Sequence, residues 1–386
     1  MKRILVSLVS EQTIPNILAI YHFKPDGLLF VSTKKMEDDG KTTAILKTLE
    51  KLGFKYESKP IIVQEDSILD CHKQINKWIE GKEDAEFIVN LTGGTKIMSI
   101  AAYEHFKDYS SKMVYIPIPK NEFIVPFPKK TPGLPTKLDL KLTVTQYMIA
   151  YGLKIINESK LKGYHEEAYK RKDLSEWIVK NYGDFKNTLS WLSDKLRPNR
   201  DKKEFYFEDT FQGMTQGEIQ FFSRFGFKNE NGAISKKLER SEIIYLTGGW
   251  LEEFCFNTIL KWHCYGIDDV VIGLQLRNSQ GRDNEFDVMF TKDNALYFVE
   301  CKSLDQHEDK NAAALYKVGA LQREFGLRVE SFFVTTSPYI LKDGKVKESV
   351  QARAEQFKTT IIPPPLEIDK FGEVIANKLN LNNNIY

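Results

Sequence analysis

The sequence lacks the residue patterns that mark disulfide-rich, zinc-binding and membrane-spanning proteins. Its four cysteines are scattered without a CxxC pair, and its six histidines form no HxH or HExxH motif. A disulfide framework and a zinc site are therefore disfavoured, and a reducing compartment is indicated. No run of 18 apolar residues occurs, and the basic start reaches a polar Ser-Glu-Gln too early for a signal segment. We expect a soluble, cytoplasmic protein without membrane contact.

An excess of charge of one sign is also absent. The formal net charge is +2, so any nucleic-acid binding must depend on a local patch rather than on the total. Hydrophobic residues make up 42% of the chain and aromatics 12%, which is enough for sizeable cores and argues against bulk disorder. At 386 residues the chain is too long for one ordinary domain. Two domains with a connector are expected.

The first 120 residues alternate short apolar runs with segments of helical spacing. This alternation predicts a doubly wound parallel sheet with helices on both faces. The predicted strands are Ile4–Val9, Leu28–Ser32, Ile61–Val63, Phe87–Asn90 and Met113–Ile118. The predicted helices are Thr13–Phe23, Thr43–Leu52, Ile68–Ile79 and Thr95–Phe106. Six prolines between positions 117 and 135 then predict an irregular stretch at the domain edge, and we assign residues 1–140 to this domain.

The rest of the chain divides into a connector and a second α/β domain. Residues 141–246 have mostly helical spacing, including one helical segment at Leu142–Ile156, and carry no recognisable chemistry. In residues 247–386 the pattern changes again to mixed helix and strand. The predicted helices are Trp250–Trp262, Ala312–Phe325 and Val350–Lys358. The predicted strands are Val270–Leu276, Glu285–Thr291, Ala295–Lys302 and Ser331–Thr335.

Two loops of the N-terminal domain are candidates for ligand binding, because an open parallel sheet binds ligands at the carboxyl ends of its strands. Their residues are Ser10, Glu11, Gln12 and Thr13 after the first strand, and Thr92, Gly93, Gly94, Thr95 and Lys96 before a helix. Paired glycines let backbone N–H groups approach a phosphate, Thr95 can cap the helix, and Lys96 adds a positive charge. The GGTK run lacks Walker A spacing and no GxGxxG follows the first strand. Neither nucleotide triphosphate hydrolysis nor NAD binding is indicated.

Three stretches of this domain resemble the CARF domain, the CRISPR-associated Rossmann-like sensor module. They are LVSEQTIPNI near the start, VSTKKM at 31–36 and VNLTGGTKIMSIAA at 89–102. The resemblance implies a homodimer that holds a cyclic oligoadenylate across its two-fold axis. It implies ligand contacts for the two loops and, more loosely, for Thr33 and Lys34. A ring of adenylates carries one negative charge per nucleotide. Backbone N–H donors and Lys96 are suited to bind those phosphates.

A second group of polar residues lies in NEFDVMFTKDNALYFVECKS at 284–303, which predicts a β-hairpin with its turn at Thr291–Asn294. Because side chains alternate along a strand, Asp287, Glu300 and Lys302 can meet on one side of the hairpin. An exposed ion pair is disfavoured, because the charges are embedded in the apolar run ALYFVECKS. A further acid stands at the start of the preceding helix. We favour Glu252 over Glu253.

This layout of acid, spacer and Glu-x-Lys resembles the PD-(D/E)XK nucleases, which have a restriction-endonuclease-like α/β fold. Carboxylates on adjacent strands make a hard oxygen site for Mg²⁺ or Mn²⁺. Asp287, Glu300 and Glu252 are the expected metal ligands, and these three with Lys302 are the expected catalytic residues. A bound metal lowers the pKa of water, and Lys302 can orient that water or stabilise developing charge.

Both halves together resemble the cyclic-oligoadenylate-activated ancillary nucleases of type III CRISPR systems. The resemblance implies a homodimer, activation by cyclic tetra-adenylate, and metal-dependent cleavage of DNA, RNA or both. The alternative is an oligoadenylate-responsive regulator that binds nucleic acid without cutting it. A HEPN ribonuclease is disfavoured because no Arg is followed by His four to six residues later. A Rossmann oxidoreductase is disfavoured by the missing dinucleotide fingerprint.

Overall fold

A computed structural model of the chain describes residues 2–109, 111–117, 120–128, 133–277, 281, 283–303, 315, 325–327, 329–365 and 368–381. These ranges contain an N-terminal parallel sheet, a middle region and a second α/β domain. The predicted fold class, a Rossmann-like sheet followed by a second α/β domain, is confirmed.

The N-terminal sheet has five parallel strands and two antiparallel strands. The parallel strands are β1 (Arg3–Leu8), β2 (Gly27–Ser32), β3 (Ile61–Ile62), β4 (Glu86–Asn90) and β5 (Ser111–Tyr115). The antiparallel strands are β6 (Glu122–Phe127) and β7 (Thr136–Lys137), and the order is β3-β2-β1-β4-β5-β6-β7. The helices are α1 (Ile14–Phe23), α2 (Lys34–Asp38), α3 (Lys41–Lys51), α4 (Ile68–Ile79) and α5 (Lys96–Phe106). The central strands β1, β2 and β4 are almost entirely buried, as expected for strands covered by helices on both faces.

The proline-rich stretch is not wholly irregular. The strand β6 lies within it and includes Pro126, so the prediction of an irregular segment is wrong there. β6 pairs with β5 from Ile124 to Phe127, with an irregularity in the register, whereas β7 covers only the first two residues of β6. One side of Pro126 therefore lies at the sheet edge, where a missing N–H group is tolerated.

The middle region combines helices with a small antiparallel sheet. Instead of one helix at Leu142–Ile156 it begins with α6 (Val144–Ala150) and β8 (Lys154–Ile155). The next helices are α7 (Glu158–Lys170), α8 (Lys172–Lys180), α9 (Tyr182–Leu196), α10 (Gln216–Arg224) and α11 (Arg240–Ile244). The strands β9 (Glu204–Thr210), β10 (Lys228–Glu230) and β11 (Ala233–Glu239) form the sheet, which helical spacing did not predict.

The second domain is built on a mixed sheet of order β18-β15-β14-β13-β12-β8. Its strands are β12 (Asp269–Arg277), β13 (Asp283–Lys292), β14 (Ala295–Lys302), β15 (Val329–Thr335) and β18 (Thr359–Ile362), with the hairpin β16 (Leu341–Lys342) and β17 (Lys345–Val346) beside them. The helices are α12 (Trp250–Leu260), α13 (Glu348–Gln356) and α14 (Ile368–Leu379). The helix predicted at Ala312–Phe325 lies outside the described residues except for its positions 315 and 325.

The turn of the β13–β14 hairpin sets the register of the two strands. Asp293 and Asn294 both have left-handed backbone conformations, with φ of 49° and 56°, so the turn is shorter than predicted and matches the twist of a two-residue hairpin loop. The Asn294 side chain accepts from the N–H of Leu142 and donates to the carbonyl of Leu140, each at 2.8 Å. The segment before α6 thus anchors the turn.

The N-terminal domain and the second domain share one buried cluster. It contains Ile17 from α1, Tyr147 from α6, and Phe286 and Phe298 from the second sheet. The two domains therefore pack against each other, and α6 contributes to the same buried cluster. Within the described ranges, no helix combines the length and hydropathy that a membrane span requires.

Candidate active site and sensor loops

The β13–β14 hairpin brings the predicted acids and lysine together. Asp287 directly precedes the paired residue Val288, and its Oδ2 accepts a hydrogen bond from the N–H of Cys301 at 2.7 Å. Glu300 is only 3% exposed, and its Oε1 lies 2.7 Å from Nζ of Lys302. Burial acts to lower the pKa of Lys302, but the charges of Glu300 and Asp287 outweigh it and raise that pKa.

The helix α12 adds Glu252 to this cluster. A π-helical turn, Tyr245–Gly249, leads into the helix and is kinked at Gly248, whose φ is 136°. Burial and the charge of Glu285 raise the pKa of Glu252 to about 7. Burial and the charges of Glu252 and Glu300 likewise raise the pKa of Asp287. These carboxylates therefore repel one another in a site of low polarity.

The neighbouring Glu253 lies elsewhere. Both of its carboxylate oxygens accept from Nε of Arg171, at 3.1 and 3.0 Å, and the Arg171 Nη2 also donates to it. Burial raises the pKa of Glu253, and Arg171 opposes that shift. Of the two acids that the sequence left open, Glu252 is the one that lies with Asp287 and Glu300.

Two charged residues of this cluster were not among the predicted site residues. The charge of Glu285 raises the pKa of Glu252. Glu285 lies on the same strand as Asp287 and two positions before it, so strand periodicity could have found it. The charge of Arg200 lowers the pKa of Glu252. Arg200 belongs to the middle region, where no local sequence pattern predicts its place in the cluster. Its Nε donates to Oγ1 of Thr247 at 2.6 Å, and its Nη2 donates to the Thr247 carbonyl at 2.9 Å.

The donor chemistry of the cluster suits a hard divalent cation. In the described part of the chain, no three His, Cys, Asp or Glu side chains are already arranged as a metal site. Glu300 is engaged with Lys302, and Asp287 with the Cys301 amide. The set concentrates buried carboxylate oxygens, which are the ligands that Mg²⁺ or Mn²⁺ prefers. Burial and neighbouring negative charge raise the pKa values of Glu252 and Asp287, and the charge of a bound cation would offset both effects. Asp287, Glu300 and Glu252 are the residues that could hold such an ion.

At the N-terminal sheet the two candidate loops touch each other. A Cβ on Gly93 would lie 2.1 Å from the carbonyl oxygen of Leu8, so only glycine permits this contact. Gly94 has a φ of 72°, and a Cβ there would lie 3.0 Å from Cβ of Leu8. Both glycines are therefore required by backbone geometry and by the close approach of β1.

Several predicted ligand residues are exposed at this edge, and others are held inside. Lys34 and Lys96 are exposed, and Glu11 is exposed with its Oε1 3.0 Å from Nζ of Lys35. Thr13 is fully buried, and its hydroxyl donates to the Ala150 carbonyl at 2.6 Å. Glu11 and the two lysines can reach a ligand as they stand, whereas the Thr13 side chain serves the packing of α6.

The threonines of the edge mostly organise the loops. Thr33 is buried and its Oγ1 accepts from the Met36 N–H at 3.3 Å, which caps α2. Thr92 donates to Asn90 Oδ1 at 2.6 Å and accepts from the Ile116 N–H at 2.8 Å.

Thr95 accepts from the Met98 N–H at 3.2 Å, caps α5 and donates to the Glu65 carbonyl at 2.7 Å. The capped N-terminus of α5, with Lys96 at its first position, is a favourable place for an anion. Ser10 is half-buried, and its Oγ accepts from the Gln12 N–H at 3.3 Å.

Gln12 connects the first loop to the second domain. Its Oε1 accepts from the Tyr151 hydroxyl at 3.0 Å and from the N–H of Leu327 at 3.3 Å. Gly326 has a φ of 90°, and a Cβ there would lie 2.2 Å from the Tyr151 hydroxyl oxygen. Residues 325–327 lead into β15, which pairs in parallel with β14 and places Phe333 beside Glu300. A candidate ligand residue is thus linked by one hydrogen bond to Leu327, two positions before the strand that flanks the acidic cluster.

The fold and these two sites define a two-domain protein in which a Rossmann-like sensor sheet precedes a nuclease-type acidic hairpin. Residues 4–147 match the family described as the Card1 CARF domain, and residues 239–381 match the family described as the Card1-like endonuclease domain. The chain belongs to the proteins that join a Card1 CARF domain to a Card1-like endonuclease domain.

Solved structures share this architecture. The protein VC1899 from Vibrio cholerae is 17% identical with a TM-score of 0.80, and 98% of each chain is covered. Can2 from Sulfobacillus thermosulfidooxidans, in complex with cyclic tetra-adenylate, is 17% identical with a TM-score of 0.75 over 98% of this chain and 97% of that one. A type III CRISPR defence DNA nuclease activated by cyclic oligoadenylate is 15% identical with a TM-score of 0.53, over 92% of this chain and 52% of that one. At these identities the likeness shows a common fold. A comparison with curated protein sequences gives no match.

Proposed function

We propose that the chain is a metal-dependent nuclease that cleaves nucleic-acid phosphodiesters when a cyclic oligoadenylate binds its sensor domain. The observation that carries this proposal is the meeting of Glu252, Asp287, Glu300 and Lys302 in a domain of the Card1-like endonuclease family. Buried carboxylates that repel each other beside a lysine are costly for folding, and such arrangements are characteristic of functional sites. The site is of the PD-(D/E)XK type.

In this mechanism the acids bind the metal and Lys302 acts on the attacking water or the phosphate. Asp287, Glu300 and Glu252 would hold Mg²⁺ or Mn²⁺, which when bound supplies a water of lowered pKa and offsets phosphate charge. The Cys301 N–H holds Asp287 in place through its hydrogen bond. Lys302, now 2.7 Å from Glu300, carries a stable positive charge because its pKa is raised. It can orient the attacking water or stabilise the charge that develops on the phosphate.

The sensor ligand proposed for the two loops is cyclic tetra-adenylate. Its phosphates would lie against the backbone of Gly93 and Gly94, the N-terminus of α5 and Lys96, which together offer donors and positive charge. The Can2 structure contains this ligand, and its similarity in fold supports the choice of ring. The same arrangement of groups would hold a cyclic oligoadenylate of another size less well if the ring did not match the spacing of the loops.

We further propose that activation passes through Gln12. A ligand that contacts Ser10 or Glu11 moves the loop that carries Gln12, and Gln12 is bonded to both Tyr151 and Leu327. Displacing Leu327 shifts β15 and, through their pairing, the strand β14 that carries Glu300 and Lys302. The ligand activates the site to the extent that it binds the active arrangement more tightly than the inactive one.

The proposed active form is a homodimer. The helices α4 and α5, which begin at the sensor edge, present exposed apolar side chains: Leu69 is 80% exposed, Ile100 49% and Tyr103 38%. Exposed apolar groups of this kind suit a second copy of the chain, and a dimer axis here would place two sets of ligand loops against one ring.

A variant with Leu69→Glu and Ile100→Glu is expected to weaken dimerisation by at least about tenfold, because each buried apolar side chain contributes ~1.5–3 kcal/mol. Light scattering after size exclusion would then show a monomer at concentrations where the parent is dimeric. Ile219→Glu is the matched control, since Ile219 is 40% exposed but lies on α10 in the middle region. A dimer unchanged by the double variant would contradict this interface.

The test of the function is cleavage of plasmid, single-stranded DNA and RNA, with Mg²⁺ or Mn²⁺ and with or without cyclic tetra-adenylate. We expect cleavage only when both metal and ligand are present. Tight ligand binding without cleavage of any substrate would instead identify a regulator that binds nucleic acid without cutting. The panel of substrates also decides between DNA and RNA.

A further inference from the structure

The acidic cluster poses an electrostatic problem for its own substrate. Glu252, Glu285, Asp287 and Glu300 are four carboxylates, and Lys302 is the cation that β14 adds to them. A nucleic acid carries one negative charge per phosphate, and the net charge of the chain is only +2. Cations close to the cluster must therefore draw the substrate strand in.

Arg200 is such a cation, and the fold carries it to the cluster from the middle region. Its two hydrogen bonds to Thr247 hold it at the turn that leads into α12. A Cβ on Gly248 would lie 3.8 Å from its Nη2 and 2.7 Å from the hydroxyl of Ser303, the residue after Lys302. The guanidinium thus lies beside the end of β14, and its positive charge lowers the pKa of Glu252.

Arg200 is also part of a basic segment, residues 197–203 with the sequence RPNRDKK. The acid of the segment, Asp201, lies 3.6 Å from Arg240, so its negative charge is shared with a cation outside the segment. Arg197, Lys202 and Lys203 are exposed, and none makes an ion pair with another described residue. Lys202 also lies over the Phe205 ring, with its Nζ 4.9 Å from the ring centre. A run of exposed surface cations that includes Arg200 beside the catalytic cluster has the charge and exposure that a phosphate backbone requires.

We propose that the basic segment 197–203 is the nucleic-acid docking surface of the nuclease site, with Arg200 contacting the phosphate nearest the cleaved bond. This inference rests on the proposed nuclease function and goes beyond it, because it gives the middle region a direct part in substrate binding. The segment reads phosphates and not bases, so it accepts DNA and RNA strands alike.

The test measures binding of a fluorescein-labelled 20-nucleotide single-stranded DNA, and of its RNA counterpart, by full-length Glu300→Gln protein with cyclic tetra-adenylate and Mg²⁺. Affinity is measured from low to high salt, because each phosphate neutralised on a single strand contributes about 0.7 to the slope of log K against log salt. Changing Arg197, Lys202 and Lys203 to Gln should reduce that slope by about 2. The control changes Lys47, Lys55 and Lys59 to Gln, which removes three exposed lysines from the sensor domain and should leave the slope unchanged.

The outcomes separate this inference from the function on which it rests. An unchanged slope when the three changes are made in the Glu300→Gln chain, with ligand-dependent cleavage intact when they are made in the otherwise unaltered chain, overturns the docking surface alone. A Glu300→Gln protein that binds neither strand at any salt overturns the docking surface, whereas the proposed function is overturned only if the unaltered chain also cleaves no substrate with metal and ligand present.

Arg200 itself is tested as Arg200→Gln, in the same binding assay and in cleavage by the otherwise unaltered chain. We expect a further loss of about 0.7 in slope and a rise in KM, because a phosphate contact is removed. If Arg200 only held Thr247 in place, the variant would melt at a lower temperature with the same slope, and its assignment to the substrate would be wrong. Arg200→Lys, which keeps the charge without the two-pronged donor, should restore most of the slope.

Discussion

Asp287→Asn should reduce ligand-activated cleavage by about 10²- to 10³-fold or more while leaving the folded protein at least as stable as the parent. Asn can still accept the hydrogen bond that the Cys301 N–H donates to Asp287, so the hairpin keeps its geometry. The change removes one carboxylate from a buried set, in which burial and the charges of Glu252 and Glu300 raise the pKa of Asp287. Relief of that repulsion favours the folded state, whereas loss of a metal-binding oxygen removes activity.

The matched comparison is Glu253→Gln, which should give the opposite result. Glu253 is the neighbouring acid that pairs with Arg171 on both oxygens. Neutralising it leaves the half-buried guanidinium with only its longer contact to Glu167, at 3.5 Å, as an ion pair. The expected cost is on the order of 3 kcal/mol in the free energy of unfolding, with cleavage retained. Cleavage rates and thermal melting of both variants provide the check. Retained cleavage in Asp287→Asn, or its loss in a folded Glu253→Gln protein, would contradict the assignment of Glu252, Asp287 and Glu300 as the active set.

Local patterns were sufficient where a site is built from neighbouring strands. The approach of Asp287, Glu300 and Lys302 follows from alternation along two strands and from a tight turn at Asp293 and Asn294. The meeting of the two sensor loops follows from the rule that carboxyl ends of parallel strands share one edge. In both cases the geometry of a single sheet carries the prediction.

Local patterns failed where a contact depends on how separate units pack. The strand β9 was missed because its segment lies among residues of helical spacing, and its apolar residue Phe207 packs against Trp191 on α9. Arg200 follows α9 along the chain and reaches Thr247 because α9 packs against the turn that leads into α12. No periodicity in the sequence encodes such a contact, so the chemistry of the middle region could not be predicted from it.

Tyr151→Phe should uncouple the sensor from the nuclease. It removes only the hydroxyl that donates to Gln12 Oε1 at 3.0 Å and keeps the ring stacked on Tyr147 at 5.1 Å. We expect cyclic tetra-adenylate to bind with an affinity within about threefold of the parent, and cleavage without ligand to stay unchanged. Stimulation of cleavage by the ligand should fall by about tenfold, since coupling between sites typically amounts to 5- to 150-fold. Ligand titrations of binding and of cleavage rate measure the two effects separately.

The control is Tyr147→Phe, because Tyr147 also holds the segment before β15, through a bond to the Phe325 carbonyl at 2.9 Å. Each variant loses a hydrogen bond of ordinary strength, about 1 kcal/mol, so both should lose some stability. Equal loss of stimulation in both would mean that general packing of α6 transmits the signal, and that Gln12 is not the route. Loss in Tyr151→Phe alone would assign the coupling to the loop of Ser10–Thr13, whose movement reaches Leu327 and then β15 through one amide side chain.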